Sequence, residues 1–466
     1  MVERPRVVIA APQGRSGKTT VTAAVIAALR QRGLVVQPFK KGPDFIDPSW
    51  LTVVAGRRCR NLDRFLMDEA TLSASFVRAT ADADIGIVEG AMGLFDGVDV
   101  EGSGSTAEIA RVLEAPVILV VNATRMTRSA AAVVLGCQML DPRLRLAGVI
   151  FNNVARQRHR DLLTASVRRY CRLPVLGAIP KRRDYEVPDR HLGLVPAVED
   201  RSLHRAIDAW AADAVNHLDI DTILDIARAA PPLPAPPPPA WETVTGEKPV
   251  IGVVRDRAFS FYYPENLEAL EQAGARLAYL SALDGTLPDV DGLYIGGGFP
   301  EVFAAELEAN ASLRHAIREG VAAGLPVYAE CGGLMYLGQK LAWKGKTYAM
   351  TGALPFKVDL DERPRGHGYM IVEVTGDNPF FTAGSTFRGH EFHHSRVHNL
   401  NTREAALVLR VHKGYGIDGE HDGIVYRNAY AAYSHIHALS VPEWAPNFVR
   451  RAVAYKHQKH NKKEDC

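Results

Sequence analysis

Between Ala229 and Ala240 the chain carries Pro231, Pro232, Pro234 and an unbroken run from Pro236 to Pro239. Proline fixes φ and has no backbone N–H, so neither a helix interior nor a central strand can pass through this stretch. It reads as a semi-rigid extended linker over residues 229–248. The 466 residues are thereby cut into two units, each long enough to bury its own core. The expected organisation is a first domain over 1–228, a second over 249–455, and a frayed basic tail over 456–466, rich in Lys and His.

Short apolar runs alternate with helical stretches in the first unit. Strands are expected at 6–11, 85–89, 116–122, 146–152 and 175–180. Such alternation implies an α/β fold, a doubly wound parallel sheet with helices on both faces. The second unit restarts the pattern, with strands at 250–255, 292–297 and 326–329 and helices at 265–272 and 313–323. Beyond about residue 345 shorter strands and turns take over, with a strand-like run at 430–435.

Bulk composition removes several function classes. At 47% hydrophobic and 23% charged residues the chain is not expected to be disordered. A net charge of +2 gives no general basic field for nucleic acid. No apolar run is long enough to span a bilayer, and the N-terminus has no signal-peptide pattern. Five scattered cysteines fit a reduced, cytoplasmic setting. Neither nucleic acid nor a membrane is expected as a partner, and a homodimer is left open.

The first strand runs into Ala11-Pro-Gln-Gly-Arg-Ser-Gly-Lys-Thr-Thr20 and then an Ala/Val-rich helix. This is a phosphate loop in its proper strand–loop–helix setting. Backbone N–H groups around Gly14, Ser16 and Gly17 can cradle phosphates. Lys18 reaches toward the outer phosphates of ATP, Thr19 toward Mg²⁺, and Thr20 toward an inner phosphate. Pro12 stands where the usual pattern has glycine. Asp44 and Asp47 lie in a turn between prolines, and Glu89 ends the strand 85–89. Thr19, Asp44 and Glu89 form a hard-oxygen set that suits Mg²⁺. Asn152, at another strand end, is a candidate for reading adenine.

In the second unit, Cys331 follows the strand 326–329 and precedes Gly332 and Gly333. A thiol at a strand-to-helix elbow is presented for attack near helix N–H groups that favour the thiolate. Its base is expected to be His435, distant in sequence but joined by the fold. Backbone N–H groups of Gly297, Gly298 and Gly332 are candidates for an oxyanion hole. The histidines of 389–398 lack the helical spacing of a zinc site and read as cleft lining for an anionic ligand.

Together these motifs resemble the cobyrinic acid a,c-diamide synthase family, which includes a branch acting on sirohydrochlorin or sirohaem. The resemblance rests on Gly14–Thr20, Lys41-Gly-Pro-Asp-Phe-Ile-Asp47, Glu89–Gly97, Arg190-His-Leu-Gly-Leu194, Phe259-Ser-Phe-Tyr-Tyr-Pro-Glu-Asn266, Gly296–Glu301, Glu330–Leu337 and Gly389–Ser395. It implies a dethiobiotin synthetase-like ATP domain followed by a class I glutamine amidotransferase domain. Cys331 and His435 would release ammonia from glutamine. ATP would phosphorylate an acetate side chain of a tetrapyrrole, and ammonia would displace the phosphate. Asp47 and Asp96 match family acidic positions and are assigned to substrate placement or ammonia activation.

Three departures bear on this. His437 stands where many class I amidotransferases carry a glutamate two residues after the histidine, so a Cys–His dyad is expected. Phe45 replaces a usual Tyr, and Lys41 a usual small or apolar residue. Both lie where substrate carboxylates would dock, so the acceptor stays open between cobyrinate or hydrogenobyrinate and sirohydrochlorin or sirohaem. Lys41–Trp50 and Gly366-His-Gly-Tyr369 lean toward the latter. A further alternative is a partitioning-type ATPase switch whose second domain only binds a partner.

Overall fold

The computed structural model describes residues 1–181, 189–190, 193–194, 203–236 and 242–464. The chain divides into two compact units, Met1–Pro238 and Pro239–Cys466. Most of the Arg190–Leu194 motif falls outside the described side chains; only a short ladder between Asp189–Arg190 and Gly193–Leu194 is seen.

The first unit is a seven-stranded sheet in the order β3-β2-β4-β1-β5-β6-β7. These strands are β1 (Arg6–Ala10), β2 (Val36–Lys41), β3 (Arg60–Leu62), β4 (Ile85–Glu89), β5 (Val117–Asn122), β6 (Leu146–Val154) and β7 (Val175–Pro180). Every neighbouring pair is parallel. Parallel strands buried on both faces need continuous apolar runs, and β1, β4 and β5 supply them with Val7, Ile9, Ile85, Ile87, Ile118 and Val120 in one core. Helices α1 (Lys18–Gln31) and α2 (Ile46–Ala55) pack Val21, Val25, Trp50 and Leu51 into the same core.

Two strands of this sheet were not expected from the sequence, β2 and β3. Pro38 interrupts β2, which ends in two lysines; such a run looks like a loop until its neighbours pair with it. β2 lies between β3 and β4, with Lys40 in register with Glu89. The C-terminal ends of β1, β2 and β4 therefore open onto one crevice, where parallel α/β sheets bind ligands.

The second unit holds a nine-stranded mixed sheet. Strands Arg276–Leu280, Val250–Val254, Gly292–Ile295, Val327–Glu330 and Ala429–Ala432 run parallel to their neighbours. Four further strands extend the sheet in antiparallel fashion. The expected strand 292–297 breaks at Gly296, and Gly297–Gly298 pairs instead with Phe259–Phe261.

One expectation is corrected. The basic tail is not frayed: helix Trp444–Glu464 runs through it. Trp444, Phe448, Val449 and Ala452 bury one face, while Lys456 pairs with Glu247 at 2.9 Å and Lys459 with Asp291 at 2.8 Å. The start of the proline-rich stretch is pinned to the first unit. Leu233 exchanges backbone hydrogen bonds with Val2 at 2.7 and 2.9 Å, and the Pro231 carbonyl accepts from Arg6 at 2.7 Å. Proline has no N–H to give, but its carbonyl still accepts.

Candidate active sites

At the end of β1 the phosphate loop closes onto α1. Gly17 adopts φ +87°, and a Cβ there would lie 2.0 Å from Asn152 Nδ2. Only glycine satisfies both demands. Asn152 Nδ2 donates to the Ser16 carbonyl at 3.1 Å, so the described contacts of this side chain brace the loop. Ser16 Oγ donates to Gln13 O at 2.9 Å. Lys18 lies folded over the loop, donating to Met92 O at 2.6 Å and Gln13 O at 3.5 Å. Burial, then the neighbouring Lys40, pushes the Lys18 ammonium down. The loop after β4 is zipped alongside, with Leu94 N donating to Ala11 O at 2.7 Å and Gly93 N to Asp96 Oδ2 at 2.7 Å.

The acidic residues are joined by one buried cation that sequence reasoning missed. Lys40 Nζ contacts Asp47 Oδ2 at 2.5 Å and Glu89 Oε1 at 3.0 Å. Glu89 Oε1 also accepts from Thr19 Oγ1 at 2.7 Å. A chain Thr19–Glu89–Lys40–Asp47 thus links the phosphate loop to the turn after β2. Asp44 stands in the same turn as Asp47, its Oδ1 accepting from Ile46 N at 2.8 Å. Burial works against the Lys40 charge, but Asp47 and Glu89 hold its pKa well above the lysine range. Burial, then Asp47, pushes Asp44 up to about 7. Burial opposes the Asp47 charge too, yet Lys40 keeps that carboxyl below its ordinary value. Burial raises Glu89 despite Lys40.

Lys41, next along β2, is 8% exposed; burial lowers it against the pull of Asp63. Strand alternation sends it to the face opposite Lys40. Phe45 precedes α2 and is half-buried, and Asp96 is exposed at the crevice.

In the second unit Cys331 stands where Val327–Glu330 passes into the helix Gly332–Leu337, with φ 48° and ψ −99°. A non-glycine residue held there stores about 1–3 kcal/mol, as nucleophile elbows do. Its N–H donates to Ala432 O at 2.7 Å, and Sγ contacts Phe392 O at 3.7 Å. His435, three residues beyond the partner strand, is brought close to Cys331. A Cβ on Gly297 would meet His435 Cε1 at 2.5 Å, and one on Gly332 would meet Gly298 N at 3.0 Å. The three glycines therefore gather around the thiol–imidazole pair. Gly297→Ala is expected to displace the ring and lower glutamine hydrolysis by about a hundredfold, measured as kcat/KM for glutamine.

A carboxylate lies beside the expected dyad. Glu330, immediately before the nucleophile, meets His435 Nδ1 at 3.1 Å. His437 is fully buried and faces Glu265 at 3.5 Å. Two of the histidines of 389–398 have these contacts: His393 pairs with Glu391 at 3.2 Å, and His390 stacks on His435 with ring centroids 4.9 Å apart. Among the described residues no group of three or more His, Cys, Asp or Glu could hold a metal.

Residues 7–195 match the CobQ/CobB/MinD/ParA nucleotide binding domain, and residues 250–442 match the CobB/CobQ-like glutamine amidotransferase domain. A cobyrinate a,c-diamide synthase from Magnetococcus marinus is 46% identical over 452 residues, covering 96% of this chain and 97% of the relative. One from Methanosarcina acetivorans is 41% identical, covering 97% and 96%. Another, from Syntrophotalea carbinolica, is 47% identical, covering 84% and 86%. The chain belongs to the cobyrinate a,c-diamide synthase family. As a member of that family it is an amide-forming ligase that couples an ATP-binding domain to a glutamine amidotransferase domain. This displaces the ATPase-switch alternative. No helix among the described residues is long and apolar enough to cross a membrane.

Two residues in contact with the candidates of this synthase-family chain escaped the sequence, Lys40 and Glu330. Each adjoins a residue that was singled out, Lys41 and Cys331. In a strand, adjacent residues point to opposite faces, so the neighbour of a candidate is a separate question. The missing signal was register: Lys40 opposite Glu89, and Glu330 opposite Ala432.

Proposed function

We propose that this synthase-family member amidates the a and c acetate side chains of a modified tetrapyrrole of the cobyrinate or hydrogenobyrinate type, through an acyl phosphate. The observation that carries the reading is the buried Lys40, held between Asp47 and Glu89 one contact from Thr19 of the phosphate loop. That cluster offers a place to bring an acceptor carboxylate beside the outer phosphate of ATP.

In the second unit His435 takes the thiol proton as base, Cys331 attacks the side-chain amide carbon of glutamine, and the His435 imidazolium passes the proton to the departing nitrogen. N–H groups of Gly297, Gly298 and Gly332 stabilise the oxyanion. Ammonia leaves, and water cleaves the thioester to glutamate. In the first unit an acetate oxygen attacks the γ-phosphorus of ATP and ADP departs. Ammonia then attacks the acyl carbon and phosphate departs. A carboxylate cannot accept ammonia directly, because its own oxygen is too poor a leaving group.

Lys18 gives up its contacts with Met92 and Gln13 carbonyls for phosphate oxygens, and Gly14, Ser16, Gly17 and Thr20 complete the cradle. The donor set fits Mg²⁺. Thr19 and Glu89 supply adjacent hard oxygens, and Glu89 Oε2 is buried with no hydrogen-bond partner among the described residues. Thr19, Glu89 and Asp44 would hold the ion, which neutralises phosphate charge when bound. Asp47 and Asp96 place the acceptor or take the proton from incoming ammonium. Lys41 and Phe45 dock the tetrapyrrole's other carboxylates and its ring. Asn152 braces the loop through Ser16.

The test offers cobyrinate, hydrogenobyrinate, sirohydrochlorin and sirohaem in turn, each with ATP, Mg²⁺ and glutamine, and reads amide formation by mass. Double amidation of cobyrinate or hydrogenobyrinate is expected. Amidation confined to sirohydrochlorin or sirohaem would move the acceptor to that branch. No mass change on any of the four would overturn the reading.

A further inference from the structure

We infer that Glu330 is the carboxylate that positions His435, so that the triad's acid comes from the residue before the nucleophile and not from the position two after the histidine. The inference rests on the reading of Cys331 and His435 as the glutaminase pair.

The strand Val327–Glu330 sets the geometry. Its alternation puts Tyr328 and Glu330 on one face, with Val327 and Ala329 on the other; Val327 and Ala329 join one core cluster and Tyr328 another. Glu330 is in register with Ala432 of the parallel neighbour, and the chain then turns to bring His435 over it. His435 Nδ1 lies 3.1 Å from Glu330 Oε2, and both side chains are 2% exposed. Three more groups converge on the carboxylate. Tyr328 OH donates to Oε1 at 3.1 Å, Ile436 N to Oε1 at 3.4 Å, and Tyr294 OH to Oε2 at 3.5 Å.

All three are donors, and a carboxylate is the side chain that only accepts. Burial, then the charge of Glu330, pushes both tyrosine hydroxyls well above their ordinary range, so they stay donors. With Nδ1–H given to Glu330, the tautomer of His435 is fixed and Nε2 is left to face the thiol. Nε2 points to the Gly297 side, 3.2 Å from where a Cβ on that glycine would stand. A buried carboxylate is costly unless an opposite charge answers it, and the His435 imidazolium does. Burial opposes that charge, but hydrogen bonds with Cys331 and Glu330 raise His435 to about 10.

His437 takes no part in this arrangement. Its Nδ1 accepts from Leu439 N at 3.3 Å, its Nε2 is turned to Glu265, and its ring packs on Tyr263 with centroids 4.8 Å apart.

The test measures glutamine hydrolysis against pH in the full chain for wild type, Glu330→Gln and Glu330→Asp, with folding checked by the far-ultraviolet spectrum. Glu330→Gln should lower kcat about a hundredfold or more with little change in KM, as loss of a tautomer-fixing carboxylate does. The alkaline limb should move to lower pH, because the imidazolium has lost its negative neighbour. Glu330→Asp keeps the charge but shortens the reach; it should recover part of kcat and keep the alkaline limb in place. A fall in kcat with the limb unmoved in Glu330→Gln would assign Glu330 a structural role and overturn the inference, as would an undiminished kcat. Should Glu330→Gln not fold, Glu330→Asp decides: kcat lowered with the limb in place supports the inference, and an unchanged kcat overturns it. Glutamine hydrolysis surviving in Cys331→Ala would instead overturn the glutaminase reading beneath it.

Discussion

Cys331→Ala will abolish glutamine-driven synthesis and leave ammonia-driven synthesis in place. The expected loss with glutamine is roughly a thousandfold or more, since removing the nucleophile of a covalent mechanism removes the pathway. Truncation of the thiol costs little structure. Cys331 is 5% exposed, but its place at the elbow is held by backbone, through Cys331 N to Ala432 O at 2.7 Å and Met335 N to Cys331 O at 3.0 Å. Added ammonia bypasses the thioester and meets the activated carboxylate in the first unit. The measurement is amide formed per minute with each nitrogen source. If both sources fail while the protein stays folded, the division of labour between the units is wrong.

Lys40→Met will have the opposite signature, with synthesis lost from either nitrogen source. It also carries a stability cost. Lys40 is the cation between Asp47 and Glu89, with side chains 4%, 18% and 0% exposed. Removing one partner leaves buried charge unanswered, at a cost of about 3–5 kcal/mol. Methionine fills the lysine stem's volume, so lost charge and not a cavity is what the variant reports. Denaturant unfolding of Lys40→Met, Glu89→Gln and the double variant checks this. The double variant should cost less than the two singles summed, because the charge left behind by one is removed by the other. Strict additivity would mean that Lys40 and Glu89 do not interact.

The sequence displayed its chemistry unevenly. Gly14–Thr20 and Cys331 were legible because both are local devices: a backbone path that needs glycine or a sharp elbow leaves a fixed signature over a few residues. His435 was read as a base without a visible partner, because the expected position held His437. Glu330 stayed hidden at the end of an apolar strand, where a glutamate looks like the point at which the chain reaches water. Lys40 stayed hidden for a related reason. It ends a strand broken by Pro38, and a lysine there suggests exposure; only the register with Glu89 reveals that it is buried and paired. The tail misled in the other direction. Its lysines suggested a solvated end, but Lys456 and Lys459 find Glu247, Asp289 and Asp291 on the body of the unit. Parallel-strand register and long-range charge pairing are tertiary facts, and a single sequence carries them weakly.

The central claim is that nitrogen from glutamine, released at Cys331, replaces an oxygen that ATP has first phosphorylated. One doubly labelled turnover tests it. Cobyrinate carrying heavy oxygen in its acetate carboxylates is incubated with ATP, Mg²⁺ and glutamine bearing heavy nitrogen in its side-chain amide. The account predicts heavy nitrogen in the product amide and one heavy oxygen in the inorganic phosphate for each amide formed. Amide formation with no heavy oxygen in the phosphate would contradict it.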